Sequence, residues 1–478
     1  MLNSMARWRH SLLRFSRTPQ ERIGESSSSS LTRENSGEPK PYCVSGHFPT
    51  ESQKILQNVW PVVELTTGDL SFPGSDELLA LLHETLPAGW VTAVERGDEE
   101  AIEASKASSD RREIVRVLGD AGWVAPHYAP DYGGRGLTRD EAQRALTLLN
   151  SWGVPFVPPG SGLPLAAPTI EQWSSDATKR HLLPPLLSGQ ERWCQLFSEP
   201  GAGSDMASLA TSAERDGDEW VINGQKVWTT FGHQSERAML IARTDPEQPK
   251  HKGITYFGLD MTAPGVEVRA LINMAGQREF NEIFLTDVRV PDLDRISPIG
   301  DGWAAAMTTL GAERHALSGS GKKKRKASDE ILGGKPYAEI EAMAKTHHVG
   351  DRLVVRDRLV SQYIAGRVLE MNILRARAQA AAGHPPGPEG SLTKIAKAAS
   401  NQHLQELAIA LLGMESVAWR EGDADAEEWV TQFMRTRANS IEGGTSEIQR
   451  NIIGERVLGL PREPDLFKGA PWREVPRN

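Results

Sequence analysis

Four short segments of this 478-residue chain hold residue types that could do chemistry. The run Phe197-Ser198-Glu199-Pro200-Gly201-Ala202-Gly203-Ser204-Asp205 reads as a tight glycine turn leaving a β-strand, with hydroxyls at Ser198 and Ser204. Glycine lets backbone come close to a flat or anionic ligand, and a hydroxyl can donate to a ring nitrogen or accept from it. Further along, Trp228-Thr229-Thr230 offers a broad indole face and hydroxyls for the polar edge of a flat cofactor. Glu313-Arg314 sets a carboxylate that could take a proton beside a guanidinium. The tail Glu442-Gly443-Gly444-Thr445 carries a second carboxylate beside a pair of glycines. Taken singly, each has a plain structural reading: a capped turn, a core tryptophan, a surface acid paired with Arg314.

The elements that must position these residues follow from the apolar periodicity. From Leu70 to Gln190 the pattern is mostly helical. Ile114, Val115 and Leu118 share one face of Asp110–Ala121, and Thr138 before Arg139-Asp140-Glu141 is an N-cap opening a helix through Leu149. Ser174 to Leu187 predicts a further helix broken at Pro184-Pro185. The period changes after Trp193. Asn223-Gly224, between Trp220-Val221-Ile222 and Lys226-Val227-Trp228, predicts a hairpin with a type I′ turn. Ala238–Arg243, Gly253–Asp260 and Glu282–Val290 predict further strands of a compact β domain. Beyond Pro291, Trp303–Leu317, Asp351–Ala382 and Leu392–Leu412 predict the long helices of a bundle. The expected division is a helical domain at 61–192, a β domain at 193–295, a helical bundle at 296–465 and a tail at 466–478. Residues 1–60 carry Arg7, Arg9, Arg14, Arg17 and a serine run from Ser26 to Ser30, and read as a disordered or targeting-like tail.

Composition excludes several functions. Lys+Arg number 54 and Asp+Glu 63, a net charge of −9, which speaks against a general nucleic-acid binder. The basic run Lys322-Lys323-Lys324-Arg325-Lys326, flanked by glycine and serine, reads as solvated surface, with a nucleic-acid patch as the alternative. The longest apolar stretches, Ala238–Ala242 and Leu407–Leu412, fall far short of the ~18 residues of a membrane span. Cys43 and Cys194, the only two cysteines, supply neither a disulfide framework nor a thiolate cluster. No histidine spacing, His347-His348 included, assembles metal ligands, so no metal site is expected. An intracellular multidomain enzyme remains.

The run Phe197–Asp205, the segment Ile222-Asn223-Gly224-Gln225-Lys226-Val227-Trp228-Thr229-Thr230 and the tail Ile441-Glu442-Gly443-Gly444-Thr445-Ser446-Glu447-Ile448-Gln449-Arg450 resemble, in order, the signatures of the acyl-CoA dehydrogenase family. The likeness spans roughly residues 70 to 465. It implies an α+β fold: an N-terminal all-α domain, a central β-barrel-like domain and a C-terminal four-helix bundle. It implies FAD as cofactor, with Phe197, Ser198, Trp228, Thr229 and Thr230 along the flavin and Gly203 and Ser204 near flavin and acyl-CoA. Thr445 and Glu447 would approach the cofactor across a subunit boundary. Gly443 and Gly444 would face the thioester, the Gly443 N–H on its carbonyl, and Arg314 would reach the nucleotide of CoA. The family more often has threonine at position 198; serine keeps the hydroxyl.

The base divides the family. Many members place a glutamate where this chain has Gly443. Isovaleryl and long-chain types instead draw it from the first helix of the C-terminal domain, in a context like Leu310-Gly311-Ala312-Glu313-Arg314, with a small residue in the tail. Glu313 is therefore the expected base and Glu442 the fallback. Two carboxylates in one apolar pocket would raise each other's pKa, so one glutamate beside a glycine is a chemically coherent pairing. Two departures stand out. Ala410-Leu411-Leu412-Gly413-Met414 occupies the place of the family's Gln-Ile-Phe-Gly-Gly segment for the adenine half of FAD, and no Arg-x-x-Phe element is identifiable between Asp351 and Tyr363. These resemble a bacterial branch that includes mixed α2β2 assemblies.

The activity implied is α,β-dehydrogenation of an acyl-CoA to the trans-2-enoyl-CoA in fatty-acid β-oxidation, with electron-transfer flavoprotein or a similar acceptor. A homotetramer is implied, a heterotetramer being the alternative, in a bacterial cytoplasm or, in a eukaryote, the mitochondrial matrix. The rivals are a flavin oxidase or monooxygenase on the same fold, and a non-catalytic partner subunit or DNA-associated flavoprotein.

Overall fold

The computed structural model describes residues 71–154, 160–317, 333–382, 387–388, 390–418, 420 and 424–476. The expected N-terminal tail and the basic run Lys322–Lys326 lie outside the described residues.

Among the described residues seven α-helices precede the sheet: α1 (Ser75–Thr85), α2 (Ala88–Arg96), α3 (Glu99–Ser108), α4 (Arg111–Asp120), α5 (Arg139–Ser151), α6 (Ala167–Trp173) and α7 (Asp176–Leu187). Their starts are written locally. The Asp110 carboxylate accepts from the N–H groups of Arg112 and Glu113 at the head of α4, and Thr138 with Glu141 forms a reciprocal capping box at the head of α5. Helix α4 buries Ile114, Val115 and Leu118, the expected face, against a core that includes Leu82, Trp90, Trp123 and Leu149. Helix α7 runs through Pro184 and Pro185 rather than breaking there. Both prolines sit in its last turn, and Leu182, Leu183, Leu186 and Leu187 around them are fully buried. That packing outweighs the two lost backbone bonds.

The central domain is one seven-stranded sheet: β1 (Trp193–Leu196), β2 (Ser212–Asp216), β3 (Glu219–Thr230), β4 (Arg237–Arg243), β5 (Ile254–Asp260), β6 (Val266–Leu271) and β7 (Phe280–Pro291). Its order is β1-β4-β2-β3-β7-β6, with β5 on the other edge of β4. The expected hairpin at Asn223-Gly224 is not there. The chain reverses at Gly217-Asp218, where Asp216 pairs with Glu219 and Gly217 adopts φ 63°. Asn223 and Gly224 lie inside the continuous strand β3, at a register shift against β7. There the Asn223 side chain bonds Asp287, and a Cβ on Gly224 would come within 2.4 Å of Thr211 Oγ1. The glycine answers a close approach in the sheet, not a turn.

Strand β4 is buried on both faces. Met239 and Ile241 point into a core shared with α6 and α7, while Ala238, Leu240 and Ala242 point into a core enclosed by the sheet itself. Helix α8 (Gly302–Leu317) packs its Ala305 and Ala306 into the first of these cores. Beyond it follow α9 (Tyr337–Thr346), α10 (Leu353–Ala381), α11 (Gly390–Leu412), α12 (Ala424–Arg435) and α13 (Ser446–Ile452). Ile340, Ala344, Leu359, Leu407 and Ala408 form the core between α9, α10 and α11. The α, β, α order is as expected.

Candidate active site

The glycine turn leaves the end of β1. Phe197 is buried with its ring edge-on to Tyr256 at 5.7 Å, Ser198 is partly buried, and Gly203 and Ser204 are exposed. A Cβ placed on Gly203 would meet nothing, so the rim of this turn is open. Beneath it lies a buried ion pair. Lys226 Nζ, with no exposed side-chain surface, bonds Glu199 Oε1 at 2.8 Å and the Phe197 carbonyl at 3.2 Å. Glu199 also accepts from the N–H groups of Ala210 at 2.7 Å and Thr211 at 3.0 Å. Burial alone would raise the Glu199 carboxyl, but Lys226 and these hydrogen bonds hold it below the usual carboxylate range. Burial holds the Lys226 ammonium below its ordinary value, against the pull of Glu199. The Val227 N–H bonds the Ser198 carbonyl at 2.9 Å, so β3 and the turn are stitched side by side.

One residue further on, β3 bulges. The register against β7 shifts between Lys226 and Thr229, and Trp228 takes φ 63°, a left-handed conformation costing a non-glycine residue about 1–3 kcal/mol. The bulge throws the Trp228 indole outward, 60% exposed, with only its edge against Phe280 at 5.8 Å. It turns Thr229 inward: this residue is fully buried and its Oγ1 has no hydrogen-bond partner among the described residues. Thr230 is exposed on the same strand. A bare indole face beside an unsatisfied buried hydroxyl fits a flat ring with a polar edge.

Helix α8 is pinned against β5 and α6. Thr309 Oγ1 lies 2.9 Å from the Tyr256 hydroxyl and 2.8 Å from Thr169 Oγ1, and Trp173 Nε1 donates to Thr308 Oγ1. Tyr256 is the residue Phe197 packs against, so the turn and α8 share a neighbour. Glu313 stands four residues after Thr309, on the same inward face of the helix, and is partly buried. Arg314 follows on α8, and its side chain lies outside the described residues.

The tail folds back toward the same sheet. Gly443 and Gly444 take φ 64° and 87°, and the Gln449 amide donates to the Gly443 carbonyl at 3.1 Å. Thr445 caps α13 by accepting from the Ile448 N–H, and Glu447 points outward, paired with Arg450. Glu442 is committed elsewhere: its carboxylate meets Arg435 Nη2 at 3.0 Å and Asn439 Nδ2 at 2.7 Å. Arg435, almost fully buried, also meets Glu279 at 2.7 Å and lies 5.7 Å from the Phe280 ring, which touches Trp228. Through Arg435 the bundle and the Trp228 platform are joined within one chain. Sequence reasoning passed over Arg435, Tyr256 and Thr309; an arginine seven residues before the tail glutamate is a visible signal, but only the fold shows what it holds.

Sequence models of the acyl-CoA dehydrogenase N-terminal, middle and C-terminal domains match residues 92–190, 194–288 and 300–458 in turn. The chain belongs to the acyl-CoA dehydrogenase family. It is 35% identical to acyl-CoA dehydrogenase IpdE1 of Mycobacterium tuberculosis over 75% of this chain and 90% of that protein. Among solved structures it is similar to the Tcur3481-Tcur3483 steroid ACAD, at 27% identity and a TM-score of 0.61, over 83% of this chain and 100% of that one. The ChsE4-ChsE5 complex from Mycobacterium tuberculosis matches at 25% identity and a TM-score of 0.55, over 82% and 99%. This acyl-CoA dehydrogenase is a flavoprotein whose cofactor is FAD, in keeping with the bare indole and orphaned hydroxyl of β3. No described helix is long and apolar enough to cross a membrane, and no described cluster of His, Cys, Asp or Glu could hold a metal ion. At the expected adenine segment, α11 ends at Leu412, Gly413 takes φ 59° and Met414 is exposed.

Proposed function

We propose that Glu313 takes the α-proton of an acyl-CoA thioester, giving the trans-2-enoyl-CoA. The observation that carries this is the different fate of two carboxylates. Glu442 is turned toward Arg435 and Asn439, whereas Glu313 lies partly buried on α8, one turn beyond the Thr309–Tyr256 contact that ties this helix to the glycine turn. FAD, when bound, supplies the acceptor for the β-hydrogen. Phe197, Ser198, Trp228, Thr229 and Thr230 hold its ring, the Thr229 hydroxyl gaining the partner it lacks. Thr445 and Glu447 meet the cofactor of a neighbouring subunit. The Gly443 N–H, beside Gly444, polarises the thioester carbonyl and so acidifies the α-carbon. Ser204 and Arg314 bind the CoA side.

The acyl group we propose is bulky and ring-bearing, of steroid origin, a reading supported by the likeness to a protein described as a steroid ACAD. Its place is a β-oxidation step in the cytoplasm of a bacterium, with an electron-transfer flavoprotein reoxidising the flavin. Assembly is part of the reading. On α10, Val360, Ile364, Val368, Met371 and Leu374 recur on one helical stripe and are each about half exposed. Such a stripe calls for a covering chain, and two of the similar structures are named as two-protein assemblies. A tetramer, of one chain or of two, supplies that cover.

The test is an anaerobic visible titration of the purified, FAD-loaded assembly with straight-chain, branched and steroid-side-chain acyl-CoAs. Bleaching by the steroid thioester at lower concentration than by the straight-chain ones is expected. Bleaching by none, with oxygen consumed in the absence of CoA substrates, would favour the oxidase reading instead.

A further inference from the structure

The matched family domains end at residue 458, yet the chain beyond them returns to the β domain. Pro471 forms a β-bridge with Pro249, the Trp472 N–H bonds the Gln248 carbonyl at 2.9 Å, and the Arg473 N–H bonds the Pro246 carbonyl at 3.2 Å. Arg473 adds an ion pair to Glu247 at 2.7 Å. A strap of three residues is thus laid along the loop between β4 and β5. Its side chain of consequence is Trp472, which is buried and covers the Arg243 guanidinium at 4.6 Å.

Arg243 is what connects the strap to the active site. It is buried at the end of β4 and donates to the carbonyls of Ala207 at 2.7 Å, Leu209 at 3.3 Å and Lys250 at 2.9 Å. The Trp472 indole N–H reaches the Ser208 carbonyl at 3.4 Å. Asp205, on the same loop, is held by Lys250 at 3.0 Å and by the Ser208 hydroxyl at 2.6 Å. Three carbonyls in a row, from Ala207 to Leu209, therefore rest on one guanidinium and one indole. Directly upstream lie Gly203 and Ser204, exposed and with open space above Gly203. A guanidinium sandwiched under an indole loses water and holds its carbonyl acceptors more firmly than an exposed one would.

We propose that Trp472 is a positioning residue for substrate: by closing over Arg243 it fixes the Gly203–Ser208 loop, on whose open rim the acyl-CoA thioester seats. This rests on the dehydrogenase reading above for the identity of what the loop binds, but not for the mechanical hold of the strap. Without the indole, Arg243 is hydrated, its bonds to the loop carbonyls weaken, and the loop must be ordered by the substrate itself. That cost falls on binding, not on the chemical step.

The experiment uses the full-length, FAD-loaded protein in four forms: wild type, Trp472→Ala, Trp472→Phe and Trp472→Leu. Hydrogen exchange without substrate is expected to quicken at least about tenfold in a peptide covering residues 203–209 of Trp472→Ala, and to stay unchanged in the buried strand Ile254–Asp260. KM for the acyl-CoA that bleaches the flavin is expected to rise about 5–10-fold, with kcat within twofold and FAD content unaltered. Trp472→Phe, which keeps a ring over Arg243, restores most of both; Trp472→Leu, which keeps bulk alone, restores little. Unchanged exchange at 203–209 would overturn the hold itself. Quickened exchange with KM unmoved would overturn the link to substrate, as would a parallel fall in kcat and FAD content. If no acyl-CoA bleaches even the wild type, the dehydrogenase reading fails and takes the substrate link with it, while the exchange result still decides the strap. Should Trp472→Ala not fold, Arg473→Ala loosens the strap more gently and is read the same way.

Discussion

The buried pair of Lys226 and Glu199 is the most consequential interaction beneath the glycine turn, and removing one member is a sharp test of it. Lys226→Met leaves the Glu199 carboxylate 8% exposed and without its cation, though still accepting from the N–H groups of Ala210 and Thr211. Breaking a buried ion pair costs about 3–5 kcal/mol, and the two surviving hydrogen bonds place this case near about 3 kcal/mol. Glu199→Gln keeps an amide oxygen for the Lys226 ammonium but removes its counter-charge and sets an NH2 group against the Ala210 or Thr211 N–H, and costs about 4 kcal/mol. At roughly 2–4 °C per kcal/mol for a domain of this kind, Lys226→Met lowers the melting temperature by about 6–12 °C, read by tryptophan fluorescence and by release of FAD. The double variant Lys226→Met/Glu199→Gln removes both charges and loses about 2 kcal/mol less than the sum of the singles. The acid side carries a sign. Because the folded Glu199 pKa is lowered, its contribution is present above the unfolded carboxylate value and fades as pH falls through the folded value. Lys226→Met lacks this contribution, so its stability deficit against wild type is widest near neutral pH and narrows in acid. A single-variant loss under about 1 kcal/mol, or full additivity in the double variant, would show that the two charges are not coupled in a buried pair.

Other outcomes follow from the same geometry. Gly444→Ala forces a side chain onto φ 87° with its Cβ 2.5 Å from Gln449 Nε2; it should cut the rate of flavin reduction at least about tenfold, seen by stopped flow, while FAD stays bound. Asp292, held to about 2 from an ordinary 3.8 by hydrogen bonds from Arg295, against the opposing effect of burial, and by the Trp220 indole, stabilises the fold above about pH 4 and loses that contribution as pH falls to about 2. Asp292→Asn should flatten this part of the acid-unfolding curve, a change of at most about 2 kcal/mol. Cys194 is 1% exposed and its thiol is pushed up to about 12 by burial. In a Cys43→Ser chain it should not react with a disulfide reagent until the protein is unfolded, and rapid reaction of the native protein would contradict the burial.

Local rules were legible wherever they act over a few residues. The Ile114, Val115, Leu118 stripe, the Thr138 cap and the strand at Ala238–Arg243 all follow from spacing and end signals that need no partner elsewhere. The two misreadings are equally physical. Asn223-Gly224 has the composition of a turn, but Gly217-Asp218, six residues earlier, takes the reversal, and Gly224 is used for its lack of a side chain against Thr211. Pro184-Pro185 has the composition of a break, but in the last turn of α7 the four buried leucines decide. At the site, the motif residues were visible and their partners were not. Lys226 and Glu199 are 27 positions apart, and Tyr256 and Thr309 are 53 apart. Such pairs exist only once the sheet and α8 are folded. The inward turn of Thr229 likewise depends on a register shift that no alternation of residue types announces.

In the mechanism proposed, Glu313 and not Glu442 takes the proton. The direct measurement is the rate of flavin reduction in a single anaerobic turnover, comparing Glu313→Gln and Glu442→Gln, each loaded with FAD and shown to bind acyl-CoA. Glu313→Gln is expected to lose about 10³-fold or more, as removal of a general base does, while Glu442→Gln keeps a rate within about tenfold of wild type. Reduction at near wild-type rate in Glu313→Gln, with collapse in Glu442→Gln, would contradict the account and make the carboxylate held by Arg435 the base.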